Sequence, residues 1–180
     1  SNTNRQLHAL EGQYGKSKVE AMTNRIRQIN PAITLTSCDA FLEPDNLDAL
    51  IPKDAFVLDA TDSVQTKIAL SVWAVNNNRA LVMCGAAGGK SNPTSVRCDD
   101  LSRTEQDALL AKVRQGLRQD HGFSRNLKKK IGVRAIYSHE PRAGVASGGL
   151  ACSGYGSTVM VTAACGLAAA AEILNLIAAQ

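Results

Sequence analysis

A chain of 180 residues with 44% apolar and 20% charged residues is long enough for one domain with a real core, and these values exclude wholesale disorder. The formal net charge of +4 permits a polyanionic partner without demanding one. Five dispersed cysteines, Cys38, Cys84, Cys98, Cys152 and Cys165, with no Cys-x-x-Cys pair, point to reduced thiols and offer no zinc knuckle.

The chain opens on a polar, cation-bearing stretch, SNTNRQLHALEGQYGKSKVE. It carries no apolar run of the signal-peptide kind, so a cytoplasmic protein is expected. Residues 17–29 read as a helix, because Val19, Met22, Ile26 and Ile29 recur at spacings of three and four before Asn30-Pro31 stops them. Residues 33–38, ITLTSC, alternate and are β-branched, as a strand would be. A short helix capped near Asp45 follows, then a buried strand in residues 55–62, AFVLDATD, which runs into small and acidic residues.

Residues 63–75 read as a helix, and ALVMCGAAGGK as a buried strand ending in a glycine-rich turn. TSVRC is a further strand, residues 104–119 a charged helix, and IGVRAIYS the last strand. The closing run from residue 158 to 180 is long enough to cross a bilayer. Alanine is only weakly favourable in lipid, and Glu172 and Asn175 interrupt the run, so a buried core helix N-capped by Ser157 or Thr158 is expected instead. Strands alternating with helices imply an α/β fold, a doubly wound, Rossmann-like and mostly parallel sheet. In such sheets ligands gather beyond the carboxyl ends of the strands, which puts Asp59, Asp62 and residues 85–90 at one rim.

Lys18 falls in the first turn of a helix, where free amide N–H groups and a cation suit a phosphate. Arg5, from the preceding loop, has the fork geometry to grip a second phosphate oxygen, and Asp62 could hold a hydrated Mg²⁺. Taken singly, Arg5 and Lys18 read first as solvated cations, and Asp62 first as a helix N-cap.

The order and spacing of SNTNRQ, GKSKVE and VLDATDSVQTK resemble the ubiquitin-activating-enzyme-like adenylyltransferases, as does the small-residue helix GSTVMVTAACGLAAAAEILNL. That resemblance implies ATP contacts from Asn2, Arg5, Gln6 and Lys18, a metal–triphosphate contact from Asp62, and a catalytic trio of Arg5, Lys18 and Asp62. Two further stretches, CGAAGGKSNPTSVRCDDLSRTEQDALLAKVRQGLR and LKKKIGVRAIYSHE, resemble one branch, the tRNA threonylcarbamoyladenosine dehydratases. The branch implies an ATP- and Mg²⁺-dependent cyclisation of a modified adenosine in tRNA, through an adenylated carboxylate, by a homodimer that binds neither DNA nor membrane.

A sulfur-carrier adenylyltransferase is the alternative within the superfamily, with a sulfur-transfer protein as partner. A non-catalytic fragment that binds tRNA or protein is the alternative outside it. For tRNA the candidates are Arg114, Arg118, Arg125, Lys128, Lys129 and Lys130, in a basic stretch that also holds Lys112 and Arg134. Cys152, ahead of the last helix, is a candidate reactive thiol that a helix N-terminus could activate.

The resemblance further implies one adenylation domain over residues 1–180, with a basic, glycine-rich crossover in residues 120–156. The family's first strand and Gly-x-Gly-Gly-x-Gly loop have no counterpart in this sequence. The expectation is therefore a C-terminal portion lacking N-terminal strands, roughly 60 to 90 residues.

Overall fold

The computed structural model describes residues 2–141 and 156–179. These fall into two compact units, Ser1–Phe41 and Leu42–Gln180.

The first unit is built on helix α1, Lys18–Ile29, which buries Ala21. Asn30 closes it by donating its amide to the Ile26 carbonyl oxygen at 2.9 Å. The strand expected at residues 33–38 does not form: the segment has no regular secondary structure and is exposed, apart from half-buried Leu35. β-Branched alternation favours an extended backbone, but a strand needs a ladder partner, and the described residues supply none. Side chains hold the segment instead. Ser17 Oγ donates to Asp39 Oδ2 and the hydroxyls of Thr23 and Ser37 meet, both at 2.7 Å.

The second unit runs α2 (Leu47–Leu50), β1 (Val57–Asp59), α3 (Val64–Asn76), β2 (Leu81–Cys84), β3 (Val96–Asp100), α4 (Ala108–Asp120), β4 (Arg134–Ser138) and α5 (Val159–Ala178). The sheet order is β1-β2-β4-β3. β1 with β2 and β2 with β4 are parallel, while β3 pairs antiparallel with β4. Alternation along the strands splits the core in two. Met83, Ala135 and Tyr137 face Leu70, Leu110, Val113 and Leu117 of α3 and α4, and Val82 and Ile136 face Ala169 of α5. A sheet with helices on both faces is the α/β arrangement expected.

Three boundaries differ from expectation. β1 is short and its middle residue, Leu58, is 44% exposed, because among the described residues it pairs on one side only. α4 starts at Ala108 rather than Thr104: Thr104 closes a 3₁₀ turn, Leu101–Arg103, and Asp107 caps the helix by accepting from the Leu110 amide at 2.9 Å. The cap of α2 is Asn46, one residue beyond Asp45, and the helix begins at Leu47.

α5 is the larger correction. Thr158 caps it as expected, but only Val161 and Ala169 are fully buried, and Leu167 and Leu174 are 73% and 64% exposed. Small residues let one face lie against the sheet, and the other face is left open. By length and composition α5 could cross a membrane. Its Glu172, however, is bound to Arg134 of β4 at 2.6 Å, which ties the helix to the sheet.

Two buried carboxylates fix the turns at the strand ends. At the end of β1, Asp59 Oδ2 accepts from Lys67 Nζ of α3 at 2.9 Å, with both side chains fully buried. Its Oδ1 accepts from the Thr61 amide and hydroxyl at 2.9 and 2.8 Å. At the end of β3, Asp100 accepts from the amides of Ser102, Ile131 and Gly132 at 2.8–2.9 Å. Burial pushes the Asp100 carboxyl up, but its hydrogen bonds outweigh burial and hold it below its ordinary value.

Replacing one partner of the first pair leaves a buried charge uncompensated. Lys67→Met should lower stability in urea titration by about 3–5 kcal/mol, and adding Asp59→Asn should recover much of that loss. Asp100→Asn should cost about 1–3 kcal/mol at neutral pH. A depressed carboxyl contributes its stability above the unfolded-state pKa and loses it as pH falls through the folded-state value. The gap between Asp100→Asn and the parent should therefore close on the acid side, as followed by urea midpoints against pH.

Candidate functional site

The expected site residues sit in both units. In the first, Asn2, Gln6 and Lys18 line one cavity of about 320 Å³, together with His8, Gln13 and Lys16. Lys18 is the first residue of α1, as the helix-terminus argument requires, and it is exposed. Arg5 is oriented by its neighbours: Nη2 donates to Asn2 Oδ1 at 2.8 Å and Nη1 to Asn4 Oδ1 at 3.1 Å. Its amide also donates to the Asn2 carbonyl oxygen at 3.1 Å, so the Asn-x-x-Arg spacing folds into a single turn. A guanidinium set this way presents its charge at a fixed place, where a free side chain would lose rotamer entropy on meeting a ligand.

Sequence reasoning missed His8 and Gln13. His8 Nε2 and Gln13 Oε1 are shielded from water and have no hydrogen-bond partner. Buried polar atoms of this kind are uncommon and mark a place where a polar group fits. Their signal in the sequence is slight, since a histidine and a glutamine in a polar loop look ordinary.

In the second unit β1 and β2 run parallel, so the loops after Asp59 and after Cys84 leave the same end of the sheet. The reading of that rim holds, with one change: Asp59 is not open to a ligand, being bound to Lys67 and Thr61. Asp62 is exposed and makes no hydrogen bond or ion pair among the described residues. The cap of α3 is Ser63, whose Oγ accepts from the Thr66 amide at 3.2 Å, so Asp62 is not spent on capping. A single open carboxylate fits Mg²⁺, which is commonly held by one or two carboxylates plus substrate phosphates and water. Among the described residues, no three His, Cys, Asp or Glu side chains gather into a closed metal cluster.

The neighbouring loop is firmly held. Ala86 donates its amide to Asp107 Oδ2 at 2.8 Å, and Gly85 lies so close to that carboxylate that any Cβ would strike it. Lys90, buried, donates to the carbonyl oxygens of Ser138 at 2.6 Å and Gln106 at 3.0 Å. Glu140 accepts from the amides of Ser91 and Asn92 at 2.9 and 2.8 Å, and those bonds hold its carboxyl below its ordinary value.

The basic stretch divides by exposure. Arg125, Lys128, Lys129 and Lys130 are exposed, whereas Arg114 and Arg118 on α4 are half-buried. Arg134, counted in that stretch, is neutralised by Glu172. Cys152 lies outside the described residues. Two of the described thiols make poor nucleophiles: burial pushes Cys84 up, and pushes Cys165 up to about 11, so both stay protonated at neutral pH.

Comparison with known proteins places the chain in a family. The model of the ThiF family matches residues 1–180. A tRNA threonylcarbamoyladenosine dehydratase of Escherichia coli is 39% identical over 196 residues, covering all of this chain and 73% of that protein. Crystal structures of an E. coli tRNA N6-threonylcarbamoyladenosine dehydratase superpose on 99% of the chain. The complex with AMP gives a TM-score of 0.90 and the complex with ATP 0.88, each at 40% identity and over 71% and 70% of that chain respectively. A molybdopterin-synthase adenylyltransferase of Salmonella typhimurium is similar over 67 residues only, 37% of this chain. Over its whole length, this chain belongs to the ThiF family.

Proposed function

We propose that this protein is an ATP-dependent tRNA threonylcarbamoyladenosine dehydratase, and that residues 1–180 serve a single adenylation domain. The observation that carries the reading is full-length similarity to a dehydratase solved with ATP and with AMP, set against a short match to an adenylyltransferase.

The chemistry asks for little covalent work from the protein. A carboxylate becomes a good electrophile once its oxygen is bonded to phosphorus, so the enzyme must hold two anions together and neutralise them. The substrate carboxylate attacks the α-phosphorus of ATP and pyrophosphate leaves. An oxygen or nitrogen of the carbamoyl group then attacks the activated carboxyl carbon, one N–H proton is lost, and AMP departs with the former carboxylate oxygen. Asn2, Gln6 and Lys18 contact the nucleotide, with Lys18 and Arg5 balancing phosphate charge. Asp62 would hold Mg²⁺, which supplies further neutralisation of the triphosphate. Arg114, Arg118, Arg125, Lys128, Lys129 and Lys130 meet the tRNA backbone, and Cys152 takes the role of an accessory thiol.

The ion pair between Arg134 and Glu172 supports a helix α5 that stays with the sheet in a cytoplasmic protein rather than entering a membrane. The open apolar face of the same helix, with Leu167 and Leu174, suits a homodimer.

Incubating the 180-residue chain with ATP, Mg²⁺ and threonylcarbamoylated tRNA should release AMP. Release that depends instead on a protein ending in Gly-Gly would assign the enzyme to sulfur-carrier activation, and no release would leave a binding fragment. Arg5→Ala and Asp62→Ala should each slow AMP release by about 10² or more, as loss of a charge-stabilising group does. Lys128→Ala should leave that step intact at saturating tRNA and raise the tRNA concentration needed. Normal turnover by Asp62→Ala would remove the metal assignment.

A further inference from the structure

We infer that Asp107 is a positioning residue of the reaction: its carboxylate fixes the loop after β2 beside Asp62, where the activated carboxylate has to be held. This rests on the dehydratase reading and adds to it a residue that acts through the loop.

Strand register sets the neighbours. β1 and β2 pair in parallel with Asp59 opposite Met83, so Asp62 and Ala86 each lie three residues past that pair, in adjacent loops at one end of the sheet. Ligands of parallel sheets gather at that end. A shift of the second loop is therefore a shift in the surroundings of the proposed metal carboxylate.

One side chain serves both α4 and the loop. Asp107 Oδ1 accepts from the Leu110 amide at 2.9 Å, which caps the helix, and Oδ2 accepts from the Ala86 amide at 2.8 Å. Asp107 is buried, so bulk water does not compete for these bonds. The loop lies hard against the carboxylate, and a Cβ on Gly85 would strike Oδ2. Capping alone would be served as well by serine or asparagine. A carboxylate differs from both by offering a second acceptor oxygen, and here that oxygen is spent on the loop.

Ala86 sits where the sheet stops holding the chain. The Gly85 amide still donates to the Ile136 carbonyl oxygen at 2.8 Å, one bond beyond β2. At Ala86 the partner is Asp107 instead, and farther on Lys90, Ser91 and Asn92 have anchors of their own. Between these anchors Ala87 is half-buried, and its amide meets no acceptor among the described residues. A backbone N–H that is fixed in place and not used by the protein can serve an oxyanion without reorganising.

The test separates positioning from folding. AMP release from ATP and threonylcarbamoylated tRNA is measured for the parent, Asp107→Ser, Asp107→Asn, Gly85→Ala and Gly85→Ala/Asp107→Ser, with thermal midpoints alongside. Serine and asparagine keep the cap of α4 and lose the acceptor for Ala86, so both variants should remain folded at the assay temperature. Their kcat should fall by about 10²-fold, the effect of a displacement of about 1 Å, with KM for ATP and for tRNA close to the parent. Gly85→Ala parts the same contact from the other side and should also slow turnover. Added to Asp107→Ser it should cost nothing more, because the methyl takes the room that the carboxylate left.

Parental kcat in Asp107→Ser and Asp107→Asn overturns the inference alone. So does a rise in KM with kcat unchanged, which would make the loop a binding surface only. Losses that multiply in the double variant overturn it too, as does unfolding of both Asp107→Ser and Asp107→Asn, which would make Asp107 a structural prop. A parent that releases no AMP brings down the dehydratase reading as well.

Discussion

The buried contact between Asp59 and Lys67 governs the candidate site in the second unit. It joins the last residue of β1 to the first full turn of α3, and the remaining carboxylate oxygen is taken up by Thr61. A carboxylate that is fully buried and accepts three hydrogen bonds inside the protein is not presented to a ligand. It sets the turn instead, so that the chain leaves the sheet in one conformation, Ser63 caps the helix, and Asp62 is left facing solvent. Two aspartates three residues apart therefore do opposite work. Burial is the variable that separates them.

The other loop at that rim follows the same rule with a cation and two carboxylates. Asp107 caps α4 and also holds the amide of Ala86, while Lys90 draws the carbonyl oxygens of Gln106 and Ser138 together. Glu140 closes the arrangement on the amides of Ser91 and Asn92. Each charge is used to tie backbone groups that no helix or strand satisfies. A rim held this way can present a nucleotide-binding surface without reorganising, which is where positioning enzymes gain most of their rate.

Much of this could be read from residue patterns, and the misses have physical causes. The period of Val19, Met22 and Ile26 gave α1 to within a residue, and Thr158 gave the start of α5. ITLTSC misled because alternation reports backbone preference, whereas a strand is a pairing between segments. Nothing local distinguishes Thr104 from a helix start, so residue patterns extend α4 back to it. The true start depends on Asp107 and on Gln106 taking a positive φ of 55°. Composition alone suggested an α5 buried all round, yet alanine and glycine along one side only reveal how closely it can approach the sheet. In the candidate site, Asn2 and Gln6 were named through a family resemblance and Lys18 also by its place at a helix start, and the three share a cavity. His8 and Gln13 were not, since their unpartnered atoms are a property of the folded loop. Nor could the sequence separate Arg118 from the lysines that follow it, because burial divides them and charge does not.

The central claim is that an adenylated carboxylate lies on the reaction path, and oxygen transfer tests it most directly. Threonylcarbamoylated tRNA whose carboxylate carries heavy oxygen is turned over with ATP and the protein, and the AMP is weighed by mass spectrometry. The account predicts one heavy oxygen in the phosphate of AMP and a tRNA nucleoside lighter by one water. AMP without the label, or label appearing in pyrophosphate, would contradict it.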